Sequence, residues 1–193
     1  MHVIHVTEGL VVGKRSVGES NTLVMILTRE LGLVRVAARS ARKEVSKLRF
    51  GLEPLTIARF SLVRGRHEWK LTGVEGISRS LSVTSAARRT QIGKMLRLLL
   101  RLIHGEEAVP ELYETLLEGF GQVIQVEDPI EAESIEYVLV LRMLAHLGYL
   151  PQTSELAPYL CDAVTAPDMV QRVQASRRML TRTINESLNA TGL

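Results

Sequence analysis

The sequence predicts a two-domain α+β protein: a five-stranded β-barrel followed by an all-helical domain. Three observations carry this expectation. Up to Ile77 the apolar residues fall in short, partly alternating stretches separated by glycine turns, the signature of strands. Beyond Ser78 they recur at steps of three and four, the period of helices. The charge balance changes over the same interval. Residues 1–80 hold 14 Lys/Arg against 7 Asp/Glu, whereas residues 81–193 hold 10 against 14. The domains are therefore placed at 1–80 and 81–193, with the boundary near Ser78–Ser82, and the basic half is the one expected to face a polyanion.

Taken in order, Gly9–Val17 is strand-like and ends at Gly18-Glu19-Ser20-Asn21. Thr22–Arg29 is a second, aliphatic strand, and Leu31-Gly32 turns tightly into Leu33–Arg39, where apolar residues alternate with Arg35 and Arg39. Leu55–Val63 and Glu68–Ile77 complete the set, joined by Arg64-Gly65-Arg66-His67. Five short strands with glycine-marked turns fit a small barrel, of the OB or the SH3-like kind.

The helices follow. Ser82–Ile103 sets Ile92, Leu96, Leu99 and Ile103 on one face and Lys94, Arg97 and Arg101 on another. Pro110–Val126 repeats the pattern with Leu112, Leu116, Phe120 and Ile124 inward and Glu111, Glu114 and Glu118 outward. Asp128-Pro129-Ile130-Glu131 supplies an N-cap, a first-turn proline and an acid at the third position. The helix it opens runs to about Leu147. It is apolar on several sides, so it is expected at the centre, with Gly148 past its end. A short helix is expected within Ser154–Ala163. A last one should run from Pro167-Asp168 to Asn189, with Val170, Val173, Leu180, Ile184 and Leu188 inward.

Composition narrows the function classes. No apolar run approaches the roughly 18 residues of a membrane span, and MHVIHVTEG lacks the regions of a signal peptide. Cys161 is the sole cysteine, which excludes an internal disulfide and a cysteine-rich zinc site. These features fit a reduced, cytoplasmic protein. No nucleophile elbow, phosphate loop or H-E-x-x-H motif is present, and Gly13-Lys14-Arg15-Ser16 lacks the spacing of a phosphate loop, so no catalytic residue is assigned. Glu106-Glu107 reads as a solvated turn, and His2 and His5 make a weak metal pair. His67 is a surface or phosphate contact, and Cys161 is expected as a small buried hydrophobe. No metal or cofactor is assigned.

The positive charge concentrates in RVAARSARKEVSKLRFGLEP, residues 35–54. Lys14, Arg15, Arg35, Arg39, Arg42, Lys43, Lys47, Arg49, Arg64 and Arg66 are the candidate phosphate contacts. Phe50 is the candidate stacking residue, Phe60 a core residue, and Trp69 fits either role. With so few aromatics, binding should be dominated by the backbone, show little sequence preference and tolerate duplex as well as single strand. Engaging about five phosphates would give a log–log salt slope of roughly −3.5 to −4.5.

Several of these segments carry a family resemblance. Glu8-Gly9-Leu10, Gly18-Glu19-Ser20, Leu27-Thr28-Arg29-Glu30-Leu31-Gly32, Ala41-Arg42-Lys43, Ser46-Lys47-Leu48-Arg49 and Leu52-Glu53-Pro54 stand in the order and spacing of the amino-terminal part of RecO, the bacterial recombination mediator, and Gly148-Tyr149-Leu150-Pro151 matches the close of its central helix. The resemblance implies an OB-fold barrel. It also implies binding to single- and double-stranded DNA, strand annealing, and loading of RecA with RecR on DNA coated by single-stranded-DNA-binding protein. The C-terminal tail of that protein, acidic and apolar, would bind the helical domain, where Arg97, Arg101, Arg142, Arg177 and Arg178 are the candidate rim residues. RecF is a further candidate partner, and a cytoplasmic, nucleoid-associated location follows. Many members carry a four-cysteine zinc module after the Gly-Tyr-Leu-Pro segment. Here Gln152–Pro167 contains Cys161 alone, so this chain resembles the shorter members without it. Two rival readings remain: a protein-only adaptor whose barrel docks RecR or another partner without binding DNA directly, and an RNA-binding barrel outside repair.

Overall fold

The computed structural model describes residues 3–17, 21–38, 51–82, 84–151 and 153–192. They form two compact units. One is Met1–Val83 together with His104–Tyr113, and the other is Thr84–Ile103 together with Glu114–Leu193.

The first unit holds five strands: β1 (Ile4–Val17), β2 (Asn21–Thr28), β3 (Gly32–Ala38), β4 (Ile57–Arg64) and β5 (Trp69–Ser78). They close into a barrel in the order β1-β2-β3-β5-β4. All neighbours are antiparallel except β3 and β5, whose short parallel seam pairs Val36 with Trp69 and Ala37 with Lys70. Alternation decides which side chains enter. Val24, Ile26, Val34, Val36, Phe60 and Leu62 are wholly buried in the interior, where Val11 and Trp69 join them. The register of β1 on β2 slips between Val11 and Gly13, a β-bulge past which β1 runs exposed from Lys14 to Val17.

The Leu-Thr-Arg-Glu-Leu-Gly segment now has a physical role. The Thr28 hydroxyl is buried, donates to the Gly32 carbonyl at 2.8 Å and accepts from the Leu31 amide at 3.0 Å. Gly32 adopts φ +68, and a Cβ there would lie 2.3 Å from the Glu107 carbonyl oxygen, so the position demands glycine. β1 is longer than its sequence pattern implied, beginning at Ile4. β4 begins at Ile57 rather than Leu55, because Leu55 takes a left-handed φ of 67.

The second unit contains five helices: α1 (Ala86–Leu102), α2 (Pro110–Gln125, whose first turn belongs to the barrel unit), α3 (Pro129–His146), α4 (Ala157–Cys161) and α5 (Met169–Ala190). Ser85 caps α1, accepting from the Arg88 amide at 3.3 Å. Asp128 caps α3, accepting from the Ile130 amide at 2.9 Å, with Pro129 in the first turn. α3 buries Ala132, Ile135, Val138, Leu139, Leu141 and Leu144, the several-sided burial expected of a central helix. Gly148 at φ +76 lets the chain leave it.

Three details differ from expectation. Leu102 rather than Ile103 is fully buried in α1, because the chain turns extended at Ile103 and carries it off the helical face. Val123 is buried where Ile124 is half-buried. Cys161 is exposed, not buried: Tyr159 takes the inward position of the short α4, and two residues further on the helix points outward. No helix among the described residues is long and apolar enough to cross a membrane.

Candidate nucleic-acid interface

The alternation that fills the barrel also dictates its outer face. Successive pairings align Arg15 with Leu23, Leu23 with Ala37 and Ala37 with Lys70, one row across four strands. The next row aligns Gly13, Met25 and Arg35. These residues alternate with the buried Val24, Val36 and Trp69, so the two rows face outward. Arg15, Arg35 and Lys70 are exposed, and none has an ion-pair partner among the described residues. They bracket a low apolar floor of Leu23 and Ala37. There a cleft of about 160 Å³ opens, lined by Val17, Asn21, Thr22, Leu23, Ala37 and Glu68. It lies between the ends of the β1–β2 and β4–β5 hairpins, across β2 and β3. In OB-folds this is the face and loop pair that receives oligonucleotides.

The remaining cations are distributed differently. Lys14 alternates with Arg15 and so leaves this face, and its ammonium pairs with Glu53 at 2.6 Å. Arg64 stands opposite Trp69, lays its guanidinium 4.9 Å over the indole ring and forms an ion pair with Glu106. Arg66 is exposed in the β4–β5 turn with His67. Arg39, Arg42, Lys43, Lys47, Arg49 and the stacking candidate Phe50 lie outside the described residues. Trp69 belongs to the core. It is 5% exposed, and His5 meets its ring edge-on at 5.2 Å. Phe60 is wholly buried, as expected of a core residue.

Lys70 was not among the residues singled out from sequence. The signal was present: Trp69 is inward, so its neighbour must be outward. Only the β3–β5 seam, however, places Lys70 in line with Arg15.

In the helical unit, Leu98, Tyr137, Val140 and Ile184 contribute to the floor of a groove of about 390 Å³ between α1, α3 and α5, with Lys94 and Glu133 at its edge. Arg97 and Arg101 are exposed within a turn of Lys94 and Leu98. Arg177 reaches across to Glu133 at 2.6 Å and stands 5.8 Å over the Tyr137 ring. Arg178 is exposed on α5. Arg142 faces elsewhere. It donates to the carbonyl oxygens of Tyr159, at 3.0 Å, and Asp162, tying α3 to α4. Burial lowers its pKa, and the nearby Glu118, Cys161 and Asp162 oppose that shift. No cluster of three or more acidic, histidine or cysteine side chains fit to hold a metal occurs among the described residues.

A closed five-stranded barrel followed in sequence by a helical region, with exposed cations on β1, β3 and β5 that have no ion-pair partner among the described residues, defines an OB-fold protein of two parts. The family models of recombination protein O match both: its N-terminal domain over residues 1–79 and its C-terminal domain over residues 90–174. The chain belongs to the RecO family. Relatives named DNA repair protein RecO include that of Exiguobacterium sibiricum, 28% identical over 171 residues, which cover 86% of this chain and 65% of the relative. That of Dehalococcoides mccartyi is 30% identical over 152 residues, covering 78% and 59%. That of Heliobacterium modesticaldum is 28% identical over 147 residues, covering 76% and 52%. The aligned segments thus account for about half to two thirds of these relatives' length.

Proposed function

We propose that the chain acts as a recombination mediator in DNA repair, binding single- and double-stranded DNA on the outer face of β2 and β3 and bringing complementary strands together. The observation that carries this reading is the row from Arg15 to Lys70, with Arg35 beside it, on a sheet face where these cations meet no carboxylate partner among the described residues. Cations so placed can neutralise phosphates and release counterions, which supplies affinity without reading sequence. The same neutralisation lowers the repulsion between two strands, so annealing requires no catalytic residue. Membership of the family supports the repair setting, and with it a cytoplasmic, nucleoid-associated location.

The groove between α1, α3 and α5 suits an acidic, apolar peptide such as the tail of single-stranded-DNA-binding protein. Leu98, Tyr137, Val140 and Ile184 give it an apolar floor, Lys94 lines it beside Glu133 and Glu136, Arg177 pairs with that Glu133, and the candidate cations Arg97, Arg101 and Arg178 are exposed on the same helices α1 and α5. Cooperation with RecR in loading RecA, and contact with RecF, belong to the same reading. A protein-only adaptor is the alternative, favoured by the engagement of Lys14 and Arg64 with Glu53 and Glu106.

Fluorescence anisotropy with labelled single-stranded oligonucleotide at several salt concentrations decides between them. The mediator reading expects tight binding with a steep salt slope. The combined Arg15→Glu, Arg35→Glu and Lys70→Glu substitutions should lower affinity at least about tenfold and flatten the slope by about two, at roughly 0.7 per phosphate contact. Reversal of Arg42, Lys43 and Lys47 tests the basic segment in the same assay. Absence of binding at low salt, with complex formation lost on reversal, would establish the adaptor.

A further inference from the structure

Within the cleft on the β2–β3 face, Glu68 is the one carboxylate among the described lining residues, next in sequence to Trp69, which pairs with Val36 on β3. An acid there opposes phosphate binding, so a surface built only for backbone contact has no use for it. Its place is nonetheless held firmly. The Glu68 carbonyl accepts from the Gly65 amide at 3.1 Å, closing the β4–β5 turn, and a Cβ on Gly65 would come within 2.3 Å of that oxygen. Its carboxylate has no hydrogen-bond or ion-pair partner among the described residues and is left as a free acceptor beside the apolar floor of Val17, Leu23 and Ala37.

We infer that this cleft receives a single unstacked base of the bound strand and that Glu68 accepts a hydrogen bond from the base's exocyclic amino group, favouring cytosine over thymine. A volume of about 160 Å³ corresponds to roughly five waters, room for one single-ring base. Both pyrimidines can lie on the apolar floor. At the corresponding position cytosine presents an amino donor, and thymine presents a carbonyl oxygen that a carboxylate repels. Phosphate contacts by Arg15, Arg35 and Lys70 are the same for either base, so the preference is a modest one superimposed on sequence-independent binding. This inference rests on the DNA-binding reading above.

The test compares oligodeoxycytidine and oligodeoxythymidine of equal length by anisotropy, at one salt concentration and neutral pH. The wild-type chain is expected to bind the cytidine strand about fivefold more tightly. In Glu68→Ala the thymidine strand should bind more tightly than before, because a repulsive charge is gone, the cytidine strand loses its hydrogen bond, and the ratio falls to about one. Glu68→Gln, which keeps the side chain's shape, should also lower the ratio, and unchanged thermal unfolding verifies the fold of both variants. A wild-type ratio within twofold of one, or a preference that survives both substitutions, overturns the inference. Failure of both strands to bind at low salt would instead remove the DNA-binding reading, an outcome distinct from equal binding of the two.

Discussion

In the helical unit the guanidinium of Arg88 reaches from α1 to the carbonyl oxygens of Val126 at 2.9 Å and Glu127 at 3.2 Å, just past the end of α2. Arg142 does the same for the end of α4, and Arg172 bridges Asp162 at 2.7 Å and Asp168 at 3.1 Å. On the barrel, Arg15 and Arg35 project from the sheet without such partners among the described residues. The difference follows from backbone geometry. Helices leave unpaired carbonyls at their C-termini, which a long cationic side chain from a neighbouring helix can satisfy. A closed barrel pairs its carbonyls within the sheet, so Arg15 and Arg35 find no backbone acceptor there, and Arg64 is held instead by the Glu106 carboxylate. Counting arginines therefore says little about binding until the secondary structure beneath them is known.

The comparison can be broken by substitution. The largest expected effect is in the helical core. Leu139 is wholly buried in α3 and lies against Gly119 so closely that a Cβ on that glycine would be 2.1 Å from it. Leu139→Ala should cost about 2–5 kcal/mol in urea unfolding. Next, Arg142→Ala should destabilise by about 2 kcal/mol, since it strands carbonyls at the end of α4. Arg35→Ala should leave the unfolding midpoint unchanged while weakening DNA binding. If the two arginine variants shift stability equally, the distinction between tying and projecting arginines is wrong.

The smallest effect sharpens the view of the barrel unit. The Tyr113 hydroxyl is buried there and has no hydrogen-bond partner among the described residues, and burial first, then the charges of Glu8 and Glu30, raise its pKa. Tyr113→Phe should stabilise by about 1 kcal/mol at neutral pH by removing an unsatisfied group. The folded state holds the phenol neutral, so its contribution is fully present below about pH 10 and is lost as pH rises beyond that. The advantage of the phenylalanine variant should accordingly widen above pH 10, which equilibrium unfolding across that range would reveal.

Much of the architecture was legible from local pattern. The barrel strands and the central helix could be read because period two and period 3.6 are imposed by backbone geometry and appear directly in Val34-Arg35-Val36 or Ile135-Val138-Leu139. The Asp128-Pro129 helix start was legible for the same local reason. Trp69 was ambiguous, because an aromatic beside charged residues suits both a core and a stacking platform. The β3–β5 seam resolved it by turning the ring inward and Lys70 outward. Cys161 was misplaced, because a five-residue helix has too little periodicity to define its buried side.

The sequence by itself determined the two-part organisation, the sign of charge on each part and the RecO family, since these depend on composition and on spacing along the chain. The tertiary structure alone decided which cations act together. Lys14 and Arg15 are adjacent in sequence yet belong to opposite sides of a strand, whereas Arg15 and Lys70 are joined only by register across four strands. Register is set by the barrel's closure and its buried alternation, a long-range condition that no local pattern contains.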